Sequence, residues 1–134
     1  MFSTESLGKL VLRLTVGVLL LMHGVHKLLT GIEPIKHMVA AYHVPELLAY
    51  GVYLGEILGP LLVILGVFSR CGAALIVINM IVAVVLAGMG QLIALGPMGG
   101  YALELEAFYL FGGLAVMLLG AGSISLGGEN GRWN

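Results

Sequence analysis

An all-helical bundle of four transmembrane spans, with a short amphipathic interfacial helix between the first and second, is the fold class this sequence predicts. Three observations predict it. The chain is 60% apolar and only 10% charged, with mean hydropathy +1.09, where soluble domains carry about 25% charged residues. Such a chain cannot cover itself with polar surface. Its 134 residues suit one integral membrane domain, because spans of about 20 apolar residues with short connections nearly exhaust the length. Glycine and proline fall between the apolar runs, where breaks are needed.

The first span is expected at about 7–29. Lys9 and Arg13 precede its apolar run, as in a signal peptide, but His23, Gly24, His26 and Lys27 follow it where a small-residue cleavage site would stand; it reads as a retained helix. Gly31 and Pro34 end it. In the connection, Ile35, Met38, Val39 and Tyr42 recur at helical spacing opposite Lys36, His37 and His43, the pattern of a helix lying at the interface. The second span, about 46–68, carries Glu56 and Gly59-Pro60 near its middle, so a kink is expected where proline removes a backbone donor. The third, about 72–88, follows across a tight Ser69-Arg70-Cys71 turn. Residues 90–101, with Pro97 and Gly99-Gly100, read as a loop. The fourth span is expected at about 102–120, and residues 122–134 as a glycine-rich, flexible tail.

Several classes fall away on composition. A formal charge of -1 excludes a nucleic-acid binder or a polybasic surface protein. The single cysteine, Cys71, excludes an intramolecular disulfide, a CxxC redox pair and a thiolate metal cage. The methionines form no convincing copper-binding array. Four spans without a visible repeat make a poor alternating-access transporter.

Orientation follows from the basic residues. Lys9, Arg13, Arg70 and Arg132 fall on one side and only Lys27 and Lys36 on the other, which places both termini in the cytoplasm. At about 1.5 Å per residue, His23 lies roughly 21 Å above Lys9, and Glu56 roughly 21 Å above Arg70. Polar residues therefore gather in the outer half. An ionisable side chain in hydrocarbon costs about 2.5–3.5 kcal/mol on insertion scales, so it pairs, faces the bundle interior, or serves function.

Glu56 is the sharpest case, as a proton-exchanging carboxylate, a metal ligand, or simply a partner of Lys27 or His23. His23 and Lys27 share a face of the first helix, with His26 turned about 60 degrees from it; the alternative reading has one or both histidines merely at the headgroup boundary. Glu104 and Glu106 are two apart, so at most one faces the core. Arg13 either snorkels to the cytoplasmic surface or seals a cavity from below. Asn79 reads as interhelical glue, with Arg13 one available partner. Gly55 and Gly59 form a GxxxG spacing, and Gly17 and Gly24 a stripe on the first helix; the spacing leaves open whether these faces meet within the chain or in a homodimer.

HGVHKL at 23–28, GEILGPLLVILGVFSR at 55–70 and GAGSISL at 120–126 together resemble the DoxX family of small bacterial inner-membrane proteins, over nearly the whole chain. The strongest signal is the glutamate of the second span followed by a Gly-x-x-x-Arg ending, here Glu56, Gly66 and Arg70. The resemblance implies association with quinone-linked or oxidative-stress redox systems, and it marks Arg13, His23, Lys27, Glu56, Arg70 and Glu104 as the recurring polar set. Ala121 and Gly127 stand where the family often has proline and aspartate.

Two functional readings result. In one, the protein is a redox subunit whose outer cavity binds a quinone at His23, Lys27, Glu56 and Glu104, with His23 and Glu56 the candidates for proton exchange and Lys27 holding a developing oxyanion. A partner protein supplies the electrons, because the chain has no flavin fingerprint, iron-sulfur cysteine set or c-type haem motif. A haem on His23 or His26 would need a second chain, since two histidines of one helix cannot take opposite axial positions. In the other, the protein is a non-catalytic assembly subunit or a divalent-metal binder, with His23, His26, Glu56 and Glu104 as candidate ligands, although no HxxxH or HExxH spacing occurs. Arg13, Asn79 and Arg70 read as structural polar residues in both.

Overall fold

The computed structural model describes all of residues 1–134, and five helices account for its regular structure, with no strand. Helix α1, Thr4–Thr30, starts where the Ser3 hydroxyl accepts from the Ser6 amide and ends at Gly31, whose φ of 86° stops the helix. Arg13, Val16, Gly17, Leu20 and Gly24 form its one buried stripe, the spacing of a single helix face. Helix α2, Glu33–Ala41, begins with Pro34 in its first turn.

Helix α3, Glu46–Leu65, is not uniform: a 3₁₀ turn at Glu46–Gly51 and a π turn at Leu54–Leu58 precede a regular segment, Gly59–Leu65. The kink expected at Gly59-Pro60 takes the form of this widened turn, in which the Gly59 amide donates to the Leu54 carbonyl. Pro60 has no amide to offer Glu56 four residues back. The helix stops three residues short of the predicted 68, because Gly66 adopts a left-handed conformation at φ 71° and Phe68 turns the chain again at φ 49°. These residues make the reversal that was assigned to 69–71. Ser69 is thereby free to open helix α4, Ser69–Gln91, which contains its own π turn at Val84–Gly88. Residues 92–103 form a small hairpin closed by an antiparallel bridge between Leu95 and Tyr101. Helix α5, Glu104–Leu119, follows.

Helix α1 packs against α3 and α5, and α4 packs against the same two, so the four close into a ring. The core runs down its centre through Val16, Leu20, Val63, Ala73, Ile76, Met80, Tyr109 and Val116. A second cluster joins α2 to the start of α3 through Ile32, Val39 and Ala49. Helices α1, α3 and α4 are long and apolar enough to cross a membrane. The predicted fourth span is a helix of 16 residues, about 24 Å long.

The glycine faces are spent within the chain. A Cβ at Gly17 would strike Ile64, one at Gly24 the Glu56 carbonyl, and one at Gly55 the Asn79 side chain, while Gly59 and Gly72 each lie against the other's carbonyl. These stripes bring α1 onto α3 and α3 onto α4, and so carry no argument for a homodimer.

Inside hydrocarbon each backbone carbonyl needs a donor, and the last turn of a helix has none of its own. At the end of α3 the Leu62 carbonyl takes the Gly66 and Val67 amides. Val63 and Ile64 take Arg13 Nη1 at 2.9 and 3.3 Å, and Leu65 takes the Leu126 amide at 3.1 Å. Arg13 Nη2 continues to the Ile124 carbonyl. Its reading as a snorkelling surface cation is therefore corrected: the residue is 1% exposed and caps another helix. Arg70 does the same for α5, donating to Met117 at 2.7 Å and Leu118 at 3.1 Å.

Residues 120–134 form no helix, yet they do not trail free. Leu126 and Gly127 donate to Leu65 and Gly66, the Arg70 amide donates to Trp133, the Ser69 amide to Asn134 Oδ1, and Ser123 Oγ to Ser6. The composition of the segment conceals this, because most of the donors and acceptors are backbone groups.

Replacing Arg13 with Met should lower the stability of the detergent-solubilised chain by about 3 kcal/mol, as expected when buried acceptors lose a charged donor. Arg13→Lys should recover only part, since one ammonium cannot span α3 and the tail. Thermal unfolding followed by circular dichroism checks both.

Candidate functional site

Between α3 and α4, beneath α2, lies a cavity of about 390 Å³, within the range of small-molecule sites. Its walls are mostly apolar: Ile35, Met38 and Val39 of α2 on one side, Val52 and Gly55 of α3, and Ile78, Val82 and Leu86 of α4. Its polar lining side chains are Lys27, Glu56 and Asn79. Both long helices that wall it carry a π turn there, at Leu54–Leu58 and Val84–Gly88. Such turns widen a helix locally, and they recur at binding sites.

Glu56 projects from the first of these turns and is 5% exposed. One carboxylate oxygen takes the Lys27 ammonium in a close ion pair, and the other accepts from Asn79 Nδ2 at 3.3 Å. Three helices thus meet on one carboxylate. Of the partners open to Glu56 in the sequence, the structure selects Lys27; of those open to Asn79, it selects Glu56 rather than Arg13. The Tyr53 hydroxyl donates to the Lys27 carbonyl at 3.3 Å, fixing the turn of α1 from which the lysine reaches.

His23 stands apart from the cavity. Its Nδ1 lies 3.0 Å from the Leu19 carbonyl and therefore carries the proton, because a carbonyl only accepts. The ring meets Tyr109 edge-on with centroids 5.7 Å apart. His23 and His26 line a shallower groove on the outside of α1 with Met22 and Lys27, so Lys27 borders both spaces. Glu104 is exposed and its carboxylate lies over Gly100; Glu106 is half-buried, and neither pairs with a basic side chain. No three His, Cys, Asp or Glu side chains come together in a group able to hold a metal ion. The candidate ligands His23, His26, Glu56 and Glu104 are divided between the cavity, the groove and the start of α5. Sequence reasoning passed over Tyr53 and Tyr109, although a phenol within an apolar helix needs a polar contact and is a usable signal.

Residues 8–89 match the DoxX family, more than half of the chain. The chain belongs to the DoxX family. The match includes Arg13, His23, Lys27, Glu56, Arg70 and Asn79, hence the whole polar end of the cavity, and stops before Glu104. With its three long apolar helices, this DoxX protein is a membrane protein. No curated protein and no solved structure matches it.

The roof of the cavity is pinned from outside. Lys36 of α2 bonds Glu33 at 2.8 Å and stands 5.2 Å above the Tyr50 ring of α3, and the Tyr42 hydroxyl donates to the Val85 carbonyl of α4 at 2.8 Å. The hydrogen bond from Lys36, reinforced by its charge, holds the Glu33 carboxyl below its ordinary value. The bond to Glu33, then that to Tyr50, raises Lys36 above its own. A depressed carboxyl contributes stability above its unfolded value, about pH 4, and loses it as pH falls through the folded one. Amide exchange across Glu33–Ala41, corrected for intrinsic rates, should therefore gain protection less at pH 3 than at pH 7. Glu33→Gln should abolish that difference.

Breaking the inner pair should cost more. Glu56→Leu, which leaves Lys27 without its counter-charge, should destabilise the protein by about 3 kcal/mol, and Lys27→Met with Glu56→Leu by clearly less. A double-mutant cycle on thermal unfolding measures the coupling.

Proposed function

We propose that this DoxX protein is a subunit of a bacterial inner-membrane redox system and that its cavity binds a quinone, or a similar redox molecule with a polar head and an apolar tail. One observation carries this reading: the cavity has a polar end and an apolar wall that opens to the side. Lys27, Glu56 and Asn79 form the polar end. Leu54, Ile78 and Val82 line the cavity and are also exposed on the outer faces of α3 and α4, so the opening lies on flanks that lipid would cover. A ligand dissolved in the bilayer reaches it without crossing water.

In this reading α5 is a fourth crossing, completing the predicted bundle, and α2 rests at the outer interface above the cavity. Both termini lie in the cytoplasm, by the excess of Lys9, Arg13, Arg70 and Arg132 on that side. The chemistry assigned to the chain's own groups is limited to what they can reach. The Lys27 ammonium has hydrogens beyond the one given to Glu56 and stabilises negative charge on a quinone oxygen. Glu56 holds that ammonium in place. Quinone reduction consumes two electrons and two protons; the electrons come from a partner protein. His23, turned toward Tyr109, has no direct path to Glu56, so proton delivery is assigned to Lys27, which borders both the groove and the cavity.

The second reading, a non-catalytic assembly subunit, draws on the completeness of the polar end: Lys27, Glu56 and Asn79 satisfy one another and suffice to join three helices.

Titration of detergent-solubilised protein with ubiquinone-2 separates the two. The redox reading predicts saturable binding at one site per chain, at least tenfold weaker in Ala83→Phe, which fills the cavity without touching the polar end. Equal binding by both proteins, or none by either, would favour the assembly reading.

A further inference from the structure

We propose that the hairpin of residues 92–103 is a membrane-docking element, with Ile93, Leu95 and Met98 set into the outer leaflet at the boundary of headgroups and acyl chains. The proposal rests on the reading of α4 and α5 as crossing helices, and it is independent of any ligand in the cavity.

Ile93 and Met98 are exposed almost completely, at 100% and 97%, and Leu95 at 74%. A connection standing in water would carry charge, yet the chain has no charged residue between Arg70 and Glu104. That uncharged stretch begins inside α4, passes the whole hairpin and ends only at α5. The apolar surface of α4 thus continues into the hairpin with Gln91 the one polar side chain between them. A protein-docking patch is bounded by a polar rim; on its α4 side this one adjoins no charged residue.

The backbone is prepared for low water. The Gly96 amide donates to Gly100 at 2.7 Å, Gly99 to Gly96 at 3.0 Å, Ala102 to Ala94 at 3.0 Å, and the Tyr101 hydroxyl to Leu92 at 2.7 Å. These bonds reduce the backbone groups that need water, and the Leu95 and Met98 amides, which have no partner within the chain, keep the hairpin at the headgroup boundary and out of the hydrocarbon. Lengths agree as well. Helix α5 supplies about 24 Å against a hydrocarbon core of about 30 Å. Leu103, immediately before it, packs on Gly88, while α4 continues to Gln91. The hairpin occupies the height that α5 lacks. Exposed Glu104, at its base, has to reach up to the headgroups, so the hairpin sits at the boundary and not deeper.

The test uses the full chain with Cys71→Ser, reconstituted in vesicles of phosphatidylethanolamine and phosphatidylglycerol. Met98→Cys and Ile93→Cys carry a nitroxide in separate samples, beside Asn130→Cys in the exposed tail and Phe111→Cys on the exposed face of α5. Labels at 98 and 93 should collide preferentially with oxygen dissolved in lipid, and should be several-fold less accessible to an aqueous nickel chelate than the label at 130. Nickel accessibility at 98 and 93 equal to that at 130, with 111 shielded, would overturn the proposal and leave the hairpin to a protein partner. Accessibility at 111 as well would overturn it at its premise, that α5 crosses the membrane. Met98 and Ile93 make no buried contact, so neither replacement disturbs folding.

Discussion

A carboxylate in the middle of an apolar helix must be held by a cation, and one half of this bundle is arranged around that requirement. Glu56 cannot find a basic residue on its own helix, so α1 has to deliver Lys27 to it and α4 has to deliver Asn79. Gly24 and Gly55 make the delivery possible, because a Cβ at either would meet the Glu56 backbone or the Asn79 side chain. The π turn that presents Glu56 follows from the same place in the sequence, where Pro60 withholds an amide. Close approach, widened turn and ion pair are one construction, and the cavity is the space it leaves.

The other half answers a different demand with similar means. Helix ends in a membrane expose carbonyls that water cannot reach, and Arg13 and Arg70 each cap a helix other than their own. A guanidinium suits this work better than an ammonium, since its fork reaches several acceptors at once. Residues 122–134 supply the remaining donors. Arg13 and Arg70 thus act at the helix ends, and Lys27 and Glu56 at the cavity.

Much of this was legible beforehand. Composition and periodicity located every helix, including the short α2, and hydrocarbon burial singled out Glu56. The helix limits near Phe68 and Ser69 were not legible, because they depend on a left-handed phenylalanine that no propensity rule expects. The state of Arg13 was hidden for another reason: a basic residue near a helix start snorkels or turns inward according to what lies opposite, and the opposing carbonyls belong to residues 50 positions away and more. His23 shows the limit of depth arguments. It shares one half of the bundle with Glu56, as the rise per residue predicts, but depth leaves rotation free, and the ring turns to Tyr109.

The proposed redox role depends on a tail-bearing ligand reaching Lys27 from the side, between α3 and α4. Photo-crosslinking with an azido-quinone in proteoliposomes, followed by peptide mapping, tests this most directly. Adducts confined to the cavity walls, around residues 52–56 and 78–87, and competed by unlabelled quinone, are the predicted result. Adducts scattered over the outward faces of α1 and α5, unaffected by competitor, would contradict it and leave the cavity as a packing feature of the Glu56 junction.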